Sequence, residues 1–427
     1  MKMHSYWLDT ATPSGDYTAA PLPKRVDLLV VGAGFTGLST ALHAARSGMS
    51  VAVVEARTVL WGASGRNGGM ATNGLGTGFR TAIARYGEQR AKQYIDAYGD
   101  AVDLVEQLVR EHDLDVDFER KGKIILAAKE SHVPGLRLTH DALRRIAGHR
   151  ATFLERDRLR EEIGSDAFHA AVVEEDSAAL HVGKFGHALA RLAVEAGATI
   201  HEHAEVTGLN RIGRGTVHDV VTARGTVRAQ RVVVGTSGYT GKPFGWLQRR
   251  VVPVGSFVTV TEPLPADVAH ELLPKGRTAS NTMNLLHYFR LTPDDRLLFG
   301  GRARFALSDP ASDRKSGDIL VAARNEVFPQ LRDVRTDYMW GGLVDISMDR
   351  MVHAGERRGL FYSMAYSGHG VQMATYMGRV MAEVVAGKGD ANPWRHLKNP
   401  AVPGLLGDPR LHLWAGGTWY GLQDRKG

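Results

Sequence analysis

Hydrophobic and polar positions near the start of the chain predict a strand, a turn, a helix and a second strand in close succession. An apolar run at 26–31 indicates a buried strand, and a glycine-rich segment follows at 32–37. Apolar residues then recur at helical spacing over 38–45. A second apolar run at 51–54 ends on Glu55. The pattern therefore predicts a compact βαβ unit with an acidic residue at the end of its second strand.

The turn in this unit has the spacing of a dinucleotide-binding fingerprint. It consists of Gly32, Ala33, Gly34, Phe35, Thr36 and Gly37. Gly32 permits the tight turn, Gly34 lets a pyrophosphate approach the backbone, and Gly37 lets helix and strand pack closely. The helix N-terminus favours the negative phosphates, and the Glu55 carboxylate can accept both hydroxyls of an adenosine ribose. We therefore predict a dinucleotide site; a purely structural strand-to-helix turn is the alternative.

The remaining patterns predict further helices and two groups of strands. Helical spacing predicts helices over 94–111, 185–196 and 371–386, and a basic helical segment over 140–159. Apolar runs predict strands over 123–128, 199–209, 217–228, 230–234, 251–261 and 360–365. The runs 286–291 and 296–300 flank a polar turn and predict a hairpin. Because this hairpin lies far from the cofactor signals, we expect it in a second, antiparallel sheet over the ligand.

Small residues that follow several strands predict the other walls of the ligand site. The candidates after Glu55 are Ala56, Arg57, Trp61, Gly62, Ala63, Ser64, Arg66, Asn67, Gly68, Gly69 and Met70. So many small residues suit backbone that passes close to a ligand, although a plain flexible loop is the alternative. Further candidates are Val206, Thr236, Ser237, Gly238, Gly341 and Gly342. A second strand, turn and helix contains Tyr366, Gly368, His369, Gly370 and Val371, and its helix N-terminus can face another negative site.

Composition excludes several classes of protein. The 427 residues include no cysteine, which excludes disulfides, thiolate catalysis and a cysteinyl-linked cofactor. The net charge of +7 is scattered, with no basic run interleaved with aromatics, so we expect no nucleic-acid partner. We see no secretory signal and no apolar stretch of membrane-spanning length, and expect a soluble cytoplasmic protein. His181, His201 and His203 lack partners at ligand spacing, so no metal site is predicted.

Taken together, these motifs resemble the FAD-dependent amine and amino-acid oxidases related to D-amino acid, glycine and sarcosine oxidases. The resemblance rests on the segments 32–37, 61–69, 298–302 and 366–370 together with Glu55, and covers nearly the whole chain. Within that superfamily the chain is most similar to the gamma-glutamylputrescine oxidase branch.

The resemblance implies an α/β fold, α+β overall, of the glutathione-reductase and D-amino acid oxidase type. A Rossmann-like FAD-binding domain would comprise 1–85, 150–245 and 336–395, and an antiparallel-sheet substrate domain 86–149 and 246–335, followed by a C-terminal extension at 396–427. By motif match, Gly32, Gly34 and Gly37 would contact the pyrophosphate and Glu55 the ribose. The 61–70 loop would contact the phosphates and flavin, and the Gly368-His369-Gly370 turn the isoalloxazine. We expect FAD to be bound without a covalent link.

The reaction implied is hydride transfer from the carbon beside an amine to flavin N5, which gives an imine that water hydrolyses. A histidine can accept the amine proton near neutral pH, and His369 and His287 are the candidates. A structural hydrogen bond to the flavin is the alternative for His369, and a solvent-facing position is the alternative for His287. Tyr366 and Arg302 complete the candidate catalytic set.

Three departures from the family pattern bear on the substrate. Gln372 stands where the sarcosine-oxidase branch has a lysine for the substrate carboxylate, which argues against a small α-amino acid unless Arg302 or Arg80 supplies the cation. The segment 297–299 lacks that branch's lysine for oxygen activation, so oxidase and dehydrogenase both stay open. No proline follows Arg350, unlike in the glutamylputrescine-type proteins.

Three hypotheses follow for the activity. The first is an oxidase of a primary or N-substituted amine, such as a gamma-glutamylputrescine-like compound, with oxygen as acceptor. The second is a D-amino acid, sarcosine or other amino-acid dehydrogenase that passes electrons to quinone or a partner protein. The third is a flavoprotein without turnover. The partners expected are therefore a small amine and an electron acceptor, while the sequence leaves the oligomeric state open.

Overall fold

A computed structural model describes residues 1–301, 307–404 and 424 of the chain. Its helices are α1 (Tyr6–Asp9), α2 (Phe35–Arg46), α3 (Phe79–Tyr86), α4 (Glu88–Glu111), α5 (Val133–Ala142), α6 (Val182–Glu195), α7 (Gly245–Gln248), α8 (Ala266–Leu272), α9 (Pro310–Val327) and α10 (Gly370–Val385). Its strands from the first half of the chain are β1 (Arg25–Val31), β2 (Val51–Val54), β3 (Met70–Ala71), β4 (Lys123–Leu126), β5 (Ala151–Glu155), β6 (Ala170–Glu174), β7 (Ala178–Ala179), β8 (Thr199–His201) and β9 (Val206–Arg211). Those from the second half are β10 (His218–Thr222), β11 (Gly225–Val234), β12 (Val252–Thr261), β13 (Thr278–Asn281), β14 (His287–Leu291), β15 (Leu297–Gly301), β16 (Thr336–Ile346), β17 (His353–Arg357) and β18 (Leu360–Met364).

The first sheet is built around the predicted βαβ unit. Its order is β17-β18-β11-β1-β2-β8, and the strands from β18 to β8 run parallel. The hairpin β9-β10 extends it by antiparallel pairing with β11. Because parallel strands end at the same edge of a sheet, the turns after β1, β2, β11 and β18 converge there.

The second sheet has the order β16-β12-β15-β14-β13-β4-β6-β5. All its neighbours are antiparallel except β13 and β4. The predicted hairpin is confirmed as β14 and β15. The mixed α/β architecture, with one mainly parallel and one mainly antiparallel sheet, agrees with the predicted fold class.

Helix α2 packs so closely against the fingerprint turn that no space is left for a Cβ atom at Gly37. A Cβ atom on Gly37 would lie 1.8 Å from the Gly32 carbonyl oxygen, and Gly32 itself has φ +102°. On its other side α2 packs on α10, where a Cβ on Gly378 would lie 2.5 Å from Ser39 Cβ. Glycine at these positions brings both helices to the same edge of the sheet.

The strands do not follow the predicted division of the chain into domains. The predicted FAD-binding segments 150–245 and 336–395 include β5, β6 and β16, yet these three strands pair in the second sheet. Within the described part of the chain, the strands of the first sheet come from 25–54, 199–234 and 353–364. The sequence of a short apolar strand does not indicate which sheet the strand joins, because its pairing partners are distant in the chain.

One local prediction also needs correction. The segment 140–159, predicted to be a basic helix, contains the end of α5, a π-helical turn at Leu143–Ala147, a glycine at 148 with positive φ, and then β5.

The N-terminal arm, residues 1–24, is anchored by its first helix. Its helix α1 buries Tyr6 and leaves Trp7 with no exposed surface.

The contact between α2 and β1 generates a stability prediction. We expect Gly37→Ala to lower the free energy of unfolding by at least about 1–3 kcal/mol, because the added methyl group must displace either the helix or the strand. Urea denaturation followed by circular dichroism measures this. The matched control is Gly135→Ala in α5, where a Cβ meets nothing within 4 Å, and which should be neutral or slightly stabilising. Equal effects of the two substitutions would contradict the prediction.

Candidate active site

The two sheets enclose a cavity of about 1050 Å³. The turns after β1, β2, β11 and β18 form one wall, and side chains from β4, β6, β12, β13 and β14 form the other. This volume lies at the upper end of the range for small-molecule sites, roughly 300–1,000 Å³. The cavity is therefore large enough for an extended ligand that reaches from the first sheet to the second.

Most of the predicted cofactor residues line this cavity. They are Gly32, Gly34, Phe35, Thr36, Glu55, Ala56, Arg57, Trp61, Gly62, Ala63, Ser64, Arg66, Asn67, Gly68, Met70, Val206, Thr236, Ser237, Gly342, Gly368, His369, Gly370 and Val371. Ala33, Gly37, Gly69, Gly238 and Gly341 lie behind the wall rather than on it. Gly37 lets α2 pack closely against the fingerprint turn, and the Gly69 carbonyl accepts a hydrogen bond from Arg290.

Glu55 organises one end of the cavity. Its carboxylate accepts hydrogen bonds from the backbone N–H groups of Ala33 at 2.8 Å and Arg57 at 2.9 Å. Burial raises the pKa of this carboxyl group. Ala204 donates to the Glu55 carbonyl at 2.7 Å and thereby brings the start of β9, with Val206, to the same end. The acid thus stands beside the glycine turn, as the fingerprint predicts.

The loop 61–70 forms the middle of the cavity wall and is held from behind through its carbonyl groups. Four buried side chains donate to four of its carbonyls: Ser5 Oγ to Gly65 at 2.6 Å, Trp340 Nε1 to Arg66 at 2.8 Å, Trp7 Nε1 to Asn67 at 2.7 Å, and Arg290 Nη1 to Gly69 at 2.6 Å. These donors come from the N-terminal arm and the second sheet. Sequence reasoning missed this clamp, because its members are spread over the whole chain.

Arg290 is the most unusual member of the clamp. It is 3% exposed and donates to the carbonyls of Gly69, Leu180 and Leu291, and no carboxylate of the described residues pairs with it. Burial lowers the pKa of its guanidinium group to about 10. A buried charge satisfied only by carbonyl dipoles fixes those carbonyls firmly.

The turn after β18 brings His369 and Tyr366 to the cavity. His369 immediately precedes α10, lines the cavity and packs edge-on against Tyr98, with ring centroids 5.5 Å apart. Tyr366 also borders the cavity, where its hydroxyl group bonds to Thr36 Oγ1 at 2.7 Å and Ser363 Oγ at 2.9 Å, and burial raises its pKa. The Tyr366 hydroxyl thus ties the second turn to α2, and a catalytic role for it stays a prediction.

His287 lies on the wrong face of its strand for catalysis. Alternation along β14 points Tyr288 into the cavity, where its ring lies against Gly68, and turns His287 to the opposite face. There His287 packs on Phe299 with ring centroids 5.3 Å apart, and burial lowers its pKa. His287 is therefore partly buried away from the cavity wall, which argues against the catalytic role considered for it.

Of the two candidate cations of the sequence analysis, the structure describes Arg80. Arg302 lies outside the described residues. Arg80 is exposed on α3 and does not line the cavity. Gln372 is fully buried on α10, donates to the Thr72 carbonyl at 2.5 Å and also lies outside the lining.

Sequence reasoning missed five charged residues of the cavity wall, namely Lys123, Glu174, Glu205, Lys242 and Asp345. Asp345 follows the glycines of β16 and accepts hydrogen bonds from Ser237 and from the Ala365 N–H group, and burial raises its pKa. Lys123 and Glu174 face the cavity from β4 and β6 as an ion pair with an N–O distance of 3.0 Å. The only sequence signal was the strand alternation that puts Lys123 opposite the core side chain of Ile124.

The chain belongs to the family of FAD-dependent oxidoreductases known as DAO, whose family model matches residues 27–384. It is 30% identical to the gamma-glutamylputrescine oxidoreductase of Escherichia coli strain K12 over 99% of this chain and 98% of that protein. It is also 30% identical to the probable oxidoreductase OrdL of Haemophilus influenzae over 94% and 93% of the two chains. The crystal structure of glycine oxidase from Geobacillus kaustophilus matches with a TM-score of 0.73 at 22% identity, covering 88% of this chain and all of that one.

The residues of the cavity fit the FAD that this family uses. A Cβ on Gly34 would lie 2.8 Å from Ser64 Oγ, and one on Gly68 would lie 2.8 Å from the Tyr288 ring, so larger side chains would fill the cradle. The N-terminus of α2 can face the pyrophosphate, and the N-terminus of α10 can face the flavin. No helix in the described part of the chain is long and apolar enough to cross a membrane, and the described residues contain no cluster of metal-ligating side chains.

The clamp behind the loop generates a binding prediction. Trp7→Phe removes the donor to the Asn67 carbonyl and leaves that carbonyl buried without it, which costs about 1–3 kcal/mol. We expect the dissociation constant for FAD to rise about tenfold, measured by quenching of flavin fluorescence on titration of the apoprotein. Trp394→Phe is the matched control, because Trp394 is equally buried and its Nε1 has no partner among the described residues. A control that weakens FAD binding as much would contradict the clamp.

Proposed function

We propose that this protein oxidises the C–N bond of a primary or N-substituted amine, such as a gamma-glutamylputrescine-like compound. The observation that carries the proposal is the chamber at the second sheet, where the cofactor cradle opens onto the polar side chains of Ser256, Thr278, Ser280 and Tyr288. Tyr288 and Ser256 are joined by a hydrogen bond of 3.2 Å between their hydroxyl groups. The similarity to gamma-glutamylputrescine oxidoreductase along nearly the whole chain supports the same substrate class.

Position 372 further supports an amine rather than a small α-amino acid. A substrate carboxylate needs a cation or several donors when it is buried. The side chain of Gln372 is fully buried, and its amide donates a hydrogen bond to the Thr72 carbonyl. It therefore cannot take the place of the lysine found there in the sarcosine-oxidase branch. Among the described residues, no unpaired lysine or arginine replaces it on the second-sheet wall.

FAD, when bound, supplies the oxidant that accepts a hydride from the carbon beside the amine. The protein's own part is to orient that carbon, to exclude water and to remove the amine proton. Tyr288 and the hydroxyl-bearing strands shape the chamber, while Ile95, Ile125, Leu143 and Leu286 keep part of it apolar. His369 is the described histidine that lines the cavity, so it is our candidate for holding a proton at its Nε2 atom.

Anaerobic reduction of the FAD-loaded protein tests the proposed function. We expect the visible flavin bands to bleach with at least one primary or N-substituted amine from a panel that also contains D- and L-amino acids. Admission of air then reports whether oxygen is the electron acceptor, because only an oxidase regains the bands rapidly and forms peroxide. Bleaching by amino acids alone would overturn the amine assignment, and no bleaching by any compound would favour a flavoprotein without turnover.

The positions of the two histidines generate a second kinetic prediction. We expect His369→Asn to slow anaerobic flavin reduction by at least about tenfold, within the range for loss of a general base, and to change its pH profile. His287→Asn, on the opposite face of its sheet, should leave both rate and pH profile unchanged within about threefold. A slower rate with an unchanged pH profile in His369→Asn would instead identify His369 as a structural contact of the flavin.

A further inference from the structure

The Lys123–Glu174 pair is a charged group of the chamber that the proposed mechanism does not use. The side chains are 11% and 4% exposed, and both line the cavity. Lys123 pairs directly with Glu174 across β4 and β6, and with Thr278 across β4 and β13. Buried ion pairs rarely add stability relative to apolar side chains of similar size, so their presence in a cavity points to a role with the ligand.

The pair lies close to the flavin end of the cavity. A Cβ built on Gly74 would be 3.1 Å from Lys123 Nζ and 3.9 Å from His369 Nε2, so these two nitrogens are separated by no more than the sum of the distances. The other lysine and arginine residues of the described lining, Arg57, Arg66 and Lys242, come from segments that follow strands of the first sheet. Lys123 is therefore the cation of the described residues that the second sheet presents to the substrate.

Hydrogen-bond capacity defines what Lys123 can bind. An ammonium group has three N–H donors. Glu174 takes one, and the Asn73 carbonyl takes another. The third donor is left for the cavity, and it requires an oxygen or nitrogen acceptor on the ligand.

Charge defines which acceptor is preferred. Glu174 neutralises Lys123, and its second oxygen lies 3.3 Å from His149 Nδ1. Although burial opposes ionisation, Lys123 and His149 lower the pKa of Glu174, so the carboxylate stays charged. A ligand carboxylate bound to Lys123 would lie beside the Glu174 carboxylate and would be repelled by it. An uncharged oxygen would not be repelled in this way.

We propose that the Lys123–Glu174 pair is a specificity device that binds an uncharged oxygen acceptor of the substrate, such as an amide carbonyl, and discriminates against a carboxylate. The inference rests on the proposed function and narrows it to amines that carry such an oxygen within reach of Lys123. The net charge of Lys123 and Glu174 together, rather than the shape of the cavity, then sets the preference for an uncharged oxygen over a carboxylate.

Equilibrium binding to the oxidised, FAD-loaded protein tests the inference without turnover. The probes are propanamide and propanoate, which have nearly the same shape and differ in charge, and the readout is the perturbation of the visible flavin spectrum. We expect the wild-type protein to bind propanamide more tightly. Glu174→Gln keeps the shape of the pair but leaves a net positive charge, so the ratio of the two affinities should shift towards propanoate by at least about tenfold.

Lys123→Met provides the opposite charge change and serves if Glu174→Gln does not fold. It removes the lysine partner of Glu174 and leaves the carboxylate facing the ligand without a compensating ammonium group, so propanoate binding should fall at least about tenfold further than propanamide binding. The matched control is Glu162→Gln, which removes the carboxylate from the Arg277–Glu162 pair outside the cavity, with its N–O distance of 2.9 Å. This control should leave the affinity ratio unchanged.

Several outcomes would overturn the inference. These are a wild-type preference for propanoate, an affinity ratio unchanged within about threefold in Glu174→Gln, a shift in the same direction in Glu174→Gln and Lys123→Met, or no spectral perturbation by propanamide. The proposed function fails separately, when no amine reduces the flavin, because the binding experiment does not depend on reduction.

Discussion

The site depends on the way the 61–70 loop is held. A loop that presents its backbone to a ligand must satisfy its outward carbonyls within the protein, because buried carbonyls without donors are costly. Here the donors are Ser5, Trp7, Arg290 and Trp340, which arrive from the N-terminal arm and from two strands of the second sheet. The loop follows β2 of the first sheet, so these bonds tie that part of the cavity wall to the second sheet.

The chain uses two different arrangements for buried positive charge beside this cavity. The hydrogen bonds of Arg290 all go to carbonyl oxygens and none goes to a carboxylate, so its charge acts on the dipoles of the loop. Lys123 has a carboxylate partner, so the chamber gains a hydrogen-bond donor without gaining net charge. The first arrangement suits a structural clamp, where strong fixed bonds are needed. The second suits a wall that contacts a ligand, where net charge would determine which molecules can enter.

Local motifs were readable from the sequence because their chemistry is contained in a short segment. The fingerprint, Glu55, the 61–70 loop and the Gly368-His369-Gly370 turn lie on the cavity wall, apart from Gly65, Gly69 and the fingerprint residues Ala33 and Gly37. The pairs formed by distant residues were not readable. Lys123 and Glu174 meet because β4 pairs with β6, and Trp7 and Asn67 meet across 60 positions of the chain. Membership of β5, β6 and β16 in the second sheet was missed for the same reason, whereas the position of His287 follows from its place on β14 relative to Tyr288.

The positions of Gln372 and Lys123 together suggest how substrate choice can change within one fold. The resemblance to the superfamily implies that, in its sarcosine-oxidase branch, a lysine after the second glycine turn holds the substrate carboxylate. In this chain the same position is a sealed amide, and the ammonium group that faces the chamber comes instead from β4, with a carboxylate beside it. Moving the cation to another element changes the direction from which the substrate is held, and pairing it with Glu174 changes the charge of the group it can hold. The cofactor cradle needs no alteration for either change, because none of these three residues belongs to the turns that follow β1 and β2.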